Sequence, residues 1–188
     1  MELHESYKYF TLYGALVSWI CGAWLTVRTR HENKKTTSEL AATGRANYFI
    51  FAIGLSASAI LLALCAFGYV RHELTLPSVF YKLLSVALML QFVTAWVPDT
   101  KGWRHQVHYF SAWIMSYLLL SLGALLLVED DLSKVFIHFQ TFGIGMLVAM
   151  AAVGTYAGRP GATNKQFLRS QQLYFFLFQI LLLVRIYG

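Results

Sequence analysis

Three side chains able to do acid–base or metal chemistry lie close together in the sequence: Asp99, His105 and His108. Asp99 follows Pro98, which cannot continue a helix because its nitrogen carries no hydrogen and its ring clashes with the preceding turn. The two histidines are three residues apart, so they share one face if the next segment is helical. Imidazole titrates near neutral pH and is the commonest metal ligand, and a nearby carboxylate would orient and polarise it. The three residues are therefore candidate catalytic and candidate metal-binding residues.

The same residues also have a structural interpretation. Asp99 would cap the N-terminus of the next helix, where a carboxylate meets the positive end of the helix dipole. The two histidines would then be interfacial residues that bind phosphates or neighbouring loops. His-x-x-His with one acid is a short pattern, and a zinc ion would need one more protein ligand or a water. His31 is the only further imidazole expected on that side.

A second pair of histidines is a candidate haem site. His72 ends the second apolar segment, and His138 lies about one turn inside the fifth. Two imidazoles that face each other across a bundle can hold a haem. However, four-helix haem proteins usually carry pairs of histidines in both leaflets, in register. The alternative is an interfacial histidine and a histidine that hydrogen-bonds between helices.

Composition predicts the elements that must position these residues. The chain has 188 residues, of which 57% are hydrophobic and 13% charged, and its mean hydropathy is +0.54; soluble domains carry about a quarter charged residues. Its apolar residues form blocks close to the ~20 residues that cross a bilayer, where only helices or closed barrels satisfy the backbone. We predict an all-α membrane protein, a six-transmembrane-helix bundle in a single integral membrane domain covering 1–188. The helices are expected at approximately 9–27, 47–70, 78–97, 107–128, 135–156 and 167–186.

Basic residues indicate the orientation of this bundle. The loops after the first, third and fifth predicted helices would lie on one side of the membrane, with ten of the fifteen Lys and Arg residues. The other side holds five, diluted by acidic residues that include a patch at 129–131. Because Lys and Arg accumulate in cytoplasmic loops, both termini are predicted on the non-cytoplasmic side of a cell membrane. The ten residues are Arg28, Arg30, Lys34, Lys35, Arg45, Lys101, Arg104, Arg159, Lys165 and Arg169.

Several classes of function are excluded or disfavoured by the motifs. The net charge of +6 follows from the basic loops, so membrane lipids are the expected partners and nucleic acid is not. No phosphate-binding Gly-Lys-Ser/Thr loop, no Gly-x-Ser-x-Gly elbow and no His-Glu-x-x-His motif is present. The acidic start of the chain predicts no cleavable signal peptide. Cys21 and Cys65 fall in apolar segments, where free cysteine behaves as a small hydrophobe.

Two local patterns refine this prediction. Thr36-Thr-Ser-Glu39 offers a capping box at a helix start. Uncharged polar residues within the spans should face the bundle interior, where they either line a small cavity or form interhelical hydrogen bonds. These residues are Gln91, Thr94, Gln140, Thr141 and Gln179.

Two stretches together resemble a known family. One is the lead-in to the second helix, Ser-acid-Leu-small-small-x-Gly over 38–44, and the other is Trp-Val-Pro-Asp over 96–99 with a histidine opening the fourth helix. Both are similar to the bacterial and archaeal membrane family catalogued as domain of unknown function nine-nine-eight, itself similar to eukaryotic Frag1/DRAM/Sfk1-type six-helix proteins. The resemblance implies the six-helix fold, and the family has no known activity. The family-like positions are Ser38, Glu39, Gly44, Pro98, Asp99 and His108.

Three hypotheses of function follow. The leading one is a non-enzymatic integral membrane protein, without a cofactor, that binds or organises lipid through a cytoplasmic cluster of Ser38, Glu39, Asp99 and His108. The second is a membrane-embedded lipid-modifying enzyme or metalloenzyme that uses Asp99, His105 and His108. The third is the haem-binding redox protein described above. Neither the ligand nor the oligomeric state follows from the sequence.

Overall fold

The computed structural model describes residues 3–128 and 134–188, and every regular element in these two ranges is a helix. The predicted acidic patch at 129–131 lies outside the described residues. Within them the helices are α1 Leu3–Tyr7, α2 Tyr9–Arg28, α3 Thr37–Ala41, α4 Arg45–Cys65, α5 Arg71–Glu73, α6 Ser78–Trp96, α7 Trp103–Leu125, α8 Lys134–Ala157 and α9 Asn164–Tyr187. A wider π-helical turn, Ala66–Val70, joins α4 to α5.

Six helical spans in the described ranges are long and apolar enough to cross a membrane. This confirms the predicted all-helical fold, and the six spans are consistent with a multi-pass membrane protein. The spans are Glu5–Arg28, Arg45–Glu73, Ser78–Trp96, Trp103–Leu125, Ile137–Ala157 and Asn164–Tyr187.

The fourth span begins four residues earlier than the sequence suggested. Gly102 adopts a φ of 81°, a conformation that residues with a Cβ rarely reach, so the chain turns sharply just before α7. As a result, His105 and His108 both lie within the first two turns of α7. The interpretation of Asp99 as the cap of this helix is wrong, because the residue that precedes α7 is Gly102 and no side chain caps the helix.

Two glycines let α2 and α4 approach closely. A Cβ on Gly54 would lie 2.9 Å from the Sγ of Cys21, and one on Gly14 would lie 3.3 Å from the side chain of Leu62. Helices whose small residues face each other can bring their backbones together, which improves dispersion contacts in lipid. Cys21 and Cys65 are both free and buried.

The helices follow one another around the bundle in the order α2, α4, α6, α7, α8 and α9, and α9 returns to contact α2. One half of this bundle has a compact apolar core. Phe80, Leu122, Leu126 and Leu181 are each at most 2% exposed there. The void beside this core is only about 40 Å³. We call this the compact half.

The other half lies toward the end where the loops 29–44, 97–102 and 158–163 meet, which we call the basic end. Side chains near the start of α9 bind the first of these loops. The Asn164 amide donates to the Asn33 carbonyl oxygen at 3.1 Å, and the Thr37 N–H donates to Gln171 Oε1 at 3.1 Å. The half of the bundle beneath this end contains a large cavity, described below.

Candidate functional site

Asp99 sits at the centre of a small hydrogen-bonded group at the basic end. Its Oδ1 lies 2.6 Å from His105 Nδ1, while Oδ2 accepts from the hydroxyls of Thr36 and Ser38, each at 3.3 Å. The Asp99 side chain is only 6% exposed, whereas that of His105 is 52% exposed. We call Thr36, Ser38, Asp99 and His105 the Asp99 cluster. These contacts make the loops after the first and third spans neighbours.

Glu39 is not part of this cluster. The Thr36 hydroxyl accepts from the Glu39 N–H at 3.1 Å, and the Glu39 carboxylate accepts from the Thr36 N–H and, at 2.6 Å, from the Lys35 N–H. This is the predicted capping box, and it starts α3. The capping box therefore fixes the direction of α3, and this direction places Ser38 within hydrogen-bonding distance of Asp99.

His108 has a different environment from His105. It is 5% exposed, and its Nδ1 lies 2.8 Å from the Val97 carbonyl oxygen. A carbonyl only accepts, so Nδ1 carries the proton and Nε2 of the neutral ring is an acceptor. No described residue hydrogen-bonds to this Nε2, and the side chain lines the cavity. The two histidines therefore do not form one site.

The cavity extends from beneath the basic end to Leu62, Met115 and Leu119, where it borders the core of the compact half. Its volume is about 450 Å³, and α2, α3, α4, α6, α7 and α9 contribute to its walls. Thr37, Ser38, His108 and Gln171 lie at its end nearest the loops. Its walls then continue along α7 from His108 to Leu119, a distance of about 16 Å at the rise of a helix. The cavity is thus an elongated volume, polar at one end and mostly apolar along its length.

The mouth of the cavity lies between α2 and α9, on the outer surface of the bundle. Ala23, Leu173 and Phe176 line the cavity and are also exposed. Two contacts bridge the same pair of helices on either side of this mouth. Gln172 Nε2 donates to the Thr26 hydroxyl at 2.8 Å, and the rings of Trp19 and Phe176 lie 4.8 Å apart. In a membrane this surface faces the lipid chains.

Two buried polar atoms lie deeper along the same walls. Trp19 Nε1 and Gln179 Oε1 have no hydrogen-bond partner among the described residues. Trp19 lies seven residues before Thr26 in α2, and Gln179 lies seven residues after Gln172 in α9. Because the two helices are antiparallel, both residues lie about 10 Å deeper in the bundle than the Thr26–Gln172 hydrogen bond. Buried polar groups without partners are rare and costly in proteins. Their presence beside a cavity marks a second polar level within it.

The uncharged polar residues predicted to face the interior differ in their contacts. Gln91, Thr94 and Gln179 line the cavity, as one of the two alternatives proposed, and Gln91 also forms an interhelical hydrogen bond, because its Nε2 donates to the Leu55 carbonyl oxygen at 2.9 Å. Gln140 donates to the Leu127 carbonyl oxygen at 3.0 Å, which follows the hydrogen-bonding alternative. Thr141 is exposed and its hydroxyl donates within its own helix, so the prediction that it faces the interior is wrong.

The other predicted site residues remain apart from the cavity. Gly44 is the residue before α4, and Pro98 lies in the α6–α7 loop. His31 is exposed and accepts from Arg30 at 3.1 Å. In residues 3–128 and 134–188, no three His, Cys, Asp or Glu side chains lie close enough together to hold a metal ion.

The two haem candidates lie at the end of the bundle opposite Asp99. His72 is in α5 and His138 is in the second turn of α8, and both side chains are exposed. Haem ligation by this pair stays a prediction that an absorbance spectrum of the purified protein can test.

The sequence reading missed Gln171, Trp19 and Gly22 as cavity residues. Gln171 lies near the start of a span, where a glutamine by itself predicts no partner, but it accepts from the Thr37 N–H and lines the polar end of the cavity. Gly22 has no atom within 4 Å of where its Cβ would be, because it borders the cavity. A glycine in a helix interior costs roughly 0.5–1 kcal/mol relative to alanine, and this cost is the one signal that pointed there.

Comparison of the chain with models of known families, with curated proteins and with solved structures finds no match. The resemblance to the family of unknown function therefore stays a prediction.

Proposed function

We propose that this chain is a non-enzymatic cell-membrane protein that binds a membrane lipid in its cavity. The observation that carries the proposal is the shape of that cavity, which is elongated, mostly apolar and open between α2 and α9 toward the lipid chains. Its volume of about 450 Å³ lies within the roughly 300–1,000 Å³ typical of small-molecule sites. A lipid that enters sideways from the bilayer keeps its chain in apolar surroundings throughout.

In this proposal the Asp99 cluster is a structural clasp. Ser38 contributes to the cavity wall and also donates to Asp99. Asp99 in turn binds Thr36 and His105, which ties α3 to the start of α7. A carboxylate that receives several hydrogen bonds is held more strongly than a neutral acceptor. The clasp thus keeps α3 over the polar end of the cavity.

We propose further that the basic end faces the cytoplasm and that both termini lie on the non-cytoplasmic side. Arg28, Arg45 and Arg159 lie over the aromatic rings of Trp24, Phe49 and Tyr156, at 4.9, 5.8 and 3.6 Å from the ring centroids. Basic and aromatic side chains combine in this way at the interface of a membrane with water. Labelling of single cysteines introduced in the loops of intact cells tests the orientation, which is wrong if the residues of loop 158–163 react from outside.

The lipid-binding proposal is tested by filling the cavity. Gly22→Leu places a side chain at the mouth, where the structure has open space. Gly145→Leu is the matched control, because Gly145 also has no atom within 4 Å but lies in α8, which does not line the cavity. Mass spectrometry of the purified proteins should find a lipid in near one-to-one ratio with the wild type and the control, and much less with Gly22→Leu. Equal lipid content in all three proteins contradicts the proposal.

One observation favours a second candidate function, a lipid-modifying enzyme. The Asp99–His105 contact of 2.6 Å orients an imidazole whose other nitrogen belongs to a half-exposed side chain at the membrane surface. A carboxylate and a histidine in this arrangement can act as a general base. Incubation with phospholipid and analysis of the products tests it: turnover that is lost in His105→Ala supports an enzyme, whereas intact substrate with the wild-type protein rejects it.

A further inference from the structure

We infer that the lipid held in the cavity is uncharged, and that its polar group is a hydroxyl placed between His108 and Gln171. This inference rests on the proposed lipid-binding function and specifies which class of lipid the site takes. It follows from the charges that line the cavity, from the hydrogen-bonding groups that remain open at its polar end, and from the position of its mouth.

The cavity walls carry no Lys, Arg, Asp or Glu side chain among the described residues. Asp99 is close to the polar end, but its two oxygens face the Asp99 cluster. A phosphate or carboxylate buried here would have no positive charge to pair with, and unpaired buried charges are strongly disfavoured. The basic residues of the loops do not line the cavity, so they cannot serve as that partner inside it.

At the polar end, one hydrogen-bond acceptor and one hydrogen-bond donor have no partner among the described residues. His108 Nε2 is an acceptor, since its Nδ1 is the protonated nitrogen facing Val97. Gln171 is oriented by the Thr37 N–H, which donates to its Oε1, and this leaves the two hydrogens of Nε2 as donors. A hydroxyl both donates and accepts, so its chemistry matches the acceptor of His108 and the donor of Gln171.

Apart from the second polar level at Trp19 and Gln179, the rest of the cavity suits an apolar body. Beyond His108 its walls include Ala112, Met115 and Leu119 of α7. The mouth between α2 and α9 is bordered by Ala23, Leu173 and Phe176, which are apolar and exposed. A lipid headgroup that passes this mouth must be small and uncharged, because crossing apolar surroundings penalises charge. Fatty and isoprenoid alcohols, monoacylglycerols and sterols share this chemistry.

The experiment compares probes that differ in one group. Wild-type protein in detergent is titrated with oleyl alcohol, monoolein, cholesterol, oleate, an anionic phospholipid and the hydrocarbon matching oleyl alcohol, and bound probe is counted by native mass spectrometry. The same titration is done with His108→Asn, whose amide can still donate to the Val97 oxygen but which lacks the acceptor at the Nε2 position. Gln171→Glu keeps the oxygen that accepts from Thr37 and removes the donor. Gly145→Leu is again the control.

We expect one uncharged, hydroxyl-bearing probe to bind per protein, more tightly than the hydrocarbon or oleate. Loss of one hydrogen bond to the ligand should weaken that binding about threefold to tenfold in His108→Asn, with the control unchanged. Tighter binding of the chain alcohols than of cholesterol identifies an acyl or prenyl alcohol, and the reverse identifies a sterol.

Two results would overturn the inference while leaving the proposed function intact. One is binding of oleate or of the anionic phospholipid as tight as that of the alcohols. The other is unchanged alcohol binding in both His108→Asn and Gln171→Glu when each variant melts at the wild-type temperature. The proposed function itself fails differently: no probe then binds the wild type, and Gly22→Leu carries as much cellular lipid as the wild type.

Discussion

The two halves of the bundle are built from the same helices but differ in how completely they fill space. In the compact half, Phe80, Leu122 and Leu181 are almost fully buried, and the void beside them is about 40 Å³. Beneath the basic end, the same α4, α6, α7 and α9 surround about 450 Å³. Both volumes lie within one bundle, so the length and apolarity of the helices cannot explain the difference.

The difference comes from the side chains placed between the helices. In the compact half, leucines and phenylalanines interdigitate, as close-packed interiors require. In the other half Gly22 supplies no side chain, while His108, Gln171 and Gln179 extend polar groups that need partners. A cavity persists where closing it would bury polar atoms without hydrogen bonds, since such burial costs more than the contacts return. The open space and the polar groups that need partners therefore lie in the same part of the bundle, as a ligand site requires.

The largest expected effect is a truncation in the compact half. Leu122→Ala removes a fully buried side chain and should lower the free energy of unfolding by about 2–5 kcal/mol, because the surrounding core can relax only partly. Leu173→Ala is the matched change at the cavity mouth, where the side chain is 45% exposed, and should cost below about 1 kcal/mol. Thermal unfolding in detergent measures both, and equal losses would show that the two halves are not packed differently.

The second effect concerns the clasp over the cavity. Asp99→Ala leaves the Thr36 and Ser38 hydroxyls and the His105 ring without their acceptor, which should cost about 1–3 kcal/mol. Asp99→Asn keeps one side-chain oxygen and should cost less, without changing the metal content of the protein. The melting temperatures of the two variants provide the comparison. If Asp99→Ala melts with the wild type, the cluster does not hold α3 in place.

A smaller effect is expected at the helix caps. Thr36→Ala removes the hydroxyl that accepts from the Glu39 N–H and should cost about 1 kcal/mol. Thr163→Ala removes the equivalent cap of α9, where the hydroxyl accepts from the Gln166 N–H. Thr36 also donates to Asp99, so its replacement should cost more than that of Thr163. A larger loss at Thr163 would contradict the link between the α3 cap and the cluster.

Sequence patterns predicted the six spans and the capping box because each depends on residues near one another in the chain. Apolar blocks of span length leave the backbone no alternative to helix, and Thr36 with Glu39 forms a closed local pair. The start of α7 was misplaced by four residues because Trp-Arg-His-Gln over 103–106 is too polar to resemble a membrane helix. Only the turn at Gly102 fixes that boundary.

The site was predicted only in part, because its residues come from distant segments. Asp99, Ser38 and His105 were among the predicted residues, and they do meet. His108 was expected to share their site on the basis of its spacing from His105, but it hydrogen-bonds to Val97 and lines the cavity. A spacing of three residues places two side chains on the same face of a helix, but it does not determine which residues of other helices each side chain contacts.

The smallest effect tests whether the cavity costs stability. Gly22→Leu and Gly145→Leu both replace a glycine in a helix interior and should each gain roughly 0.5–1 kcal/mol from that change alone. Gly22→Leu also adds contacts in the cavity, so it should melt above Gly145→Leu after lipid is stripped by detergent. If Gly22→Leu is more stable than the wild type but no longer binds lipid, the open space of the wild type is kept for lipid binding at a cost in stability. If Gly22→Leu melts below the control, the leucine does not fit, and the residues around Gly22 are more tightly packed than those of an open cavity.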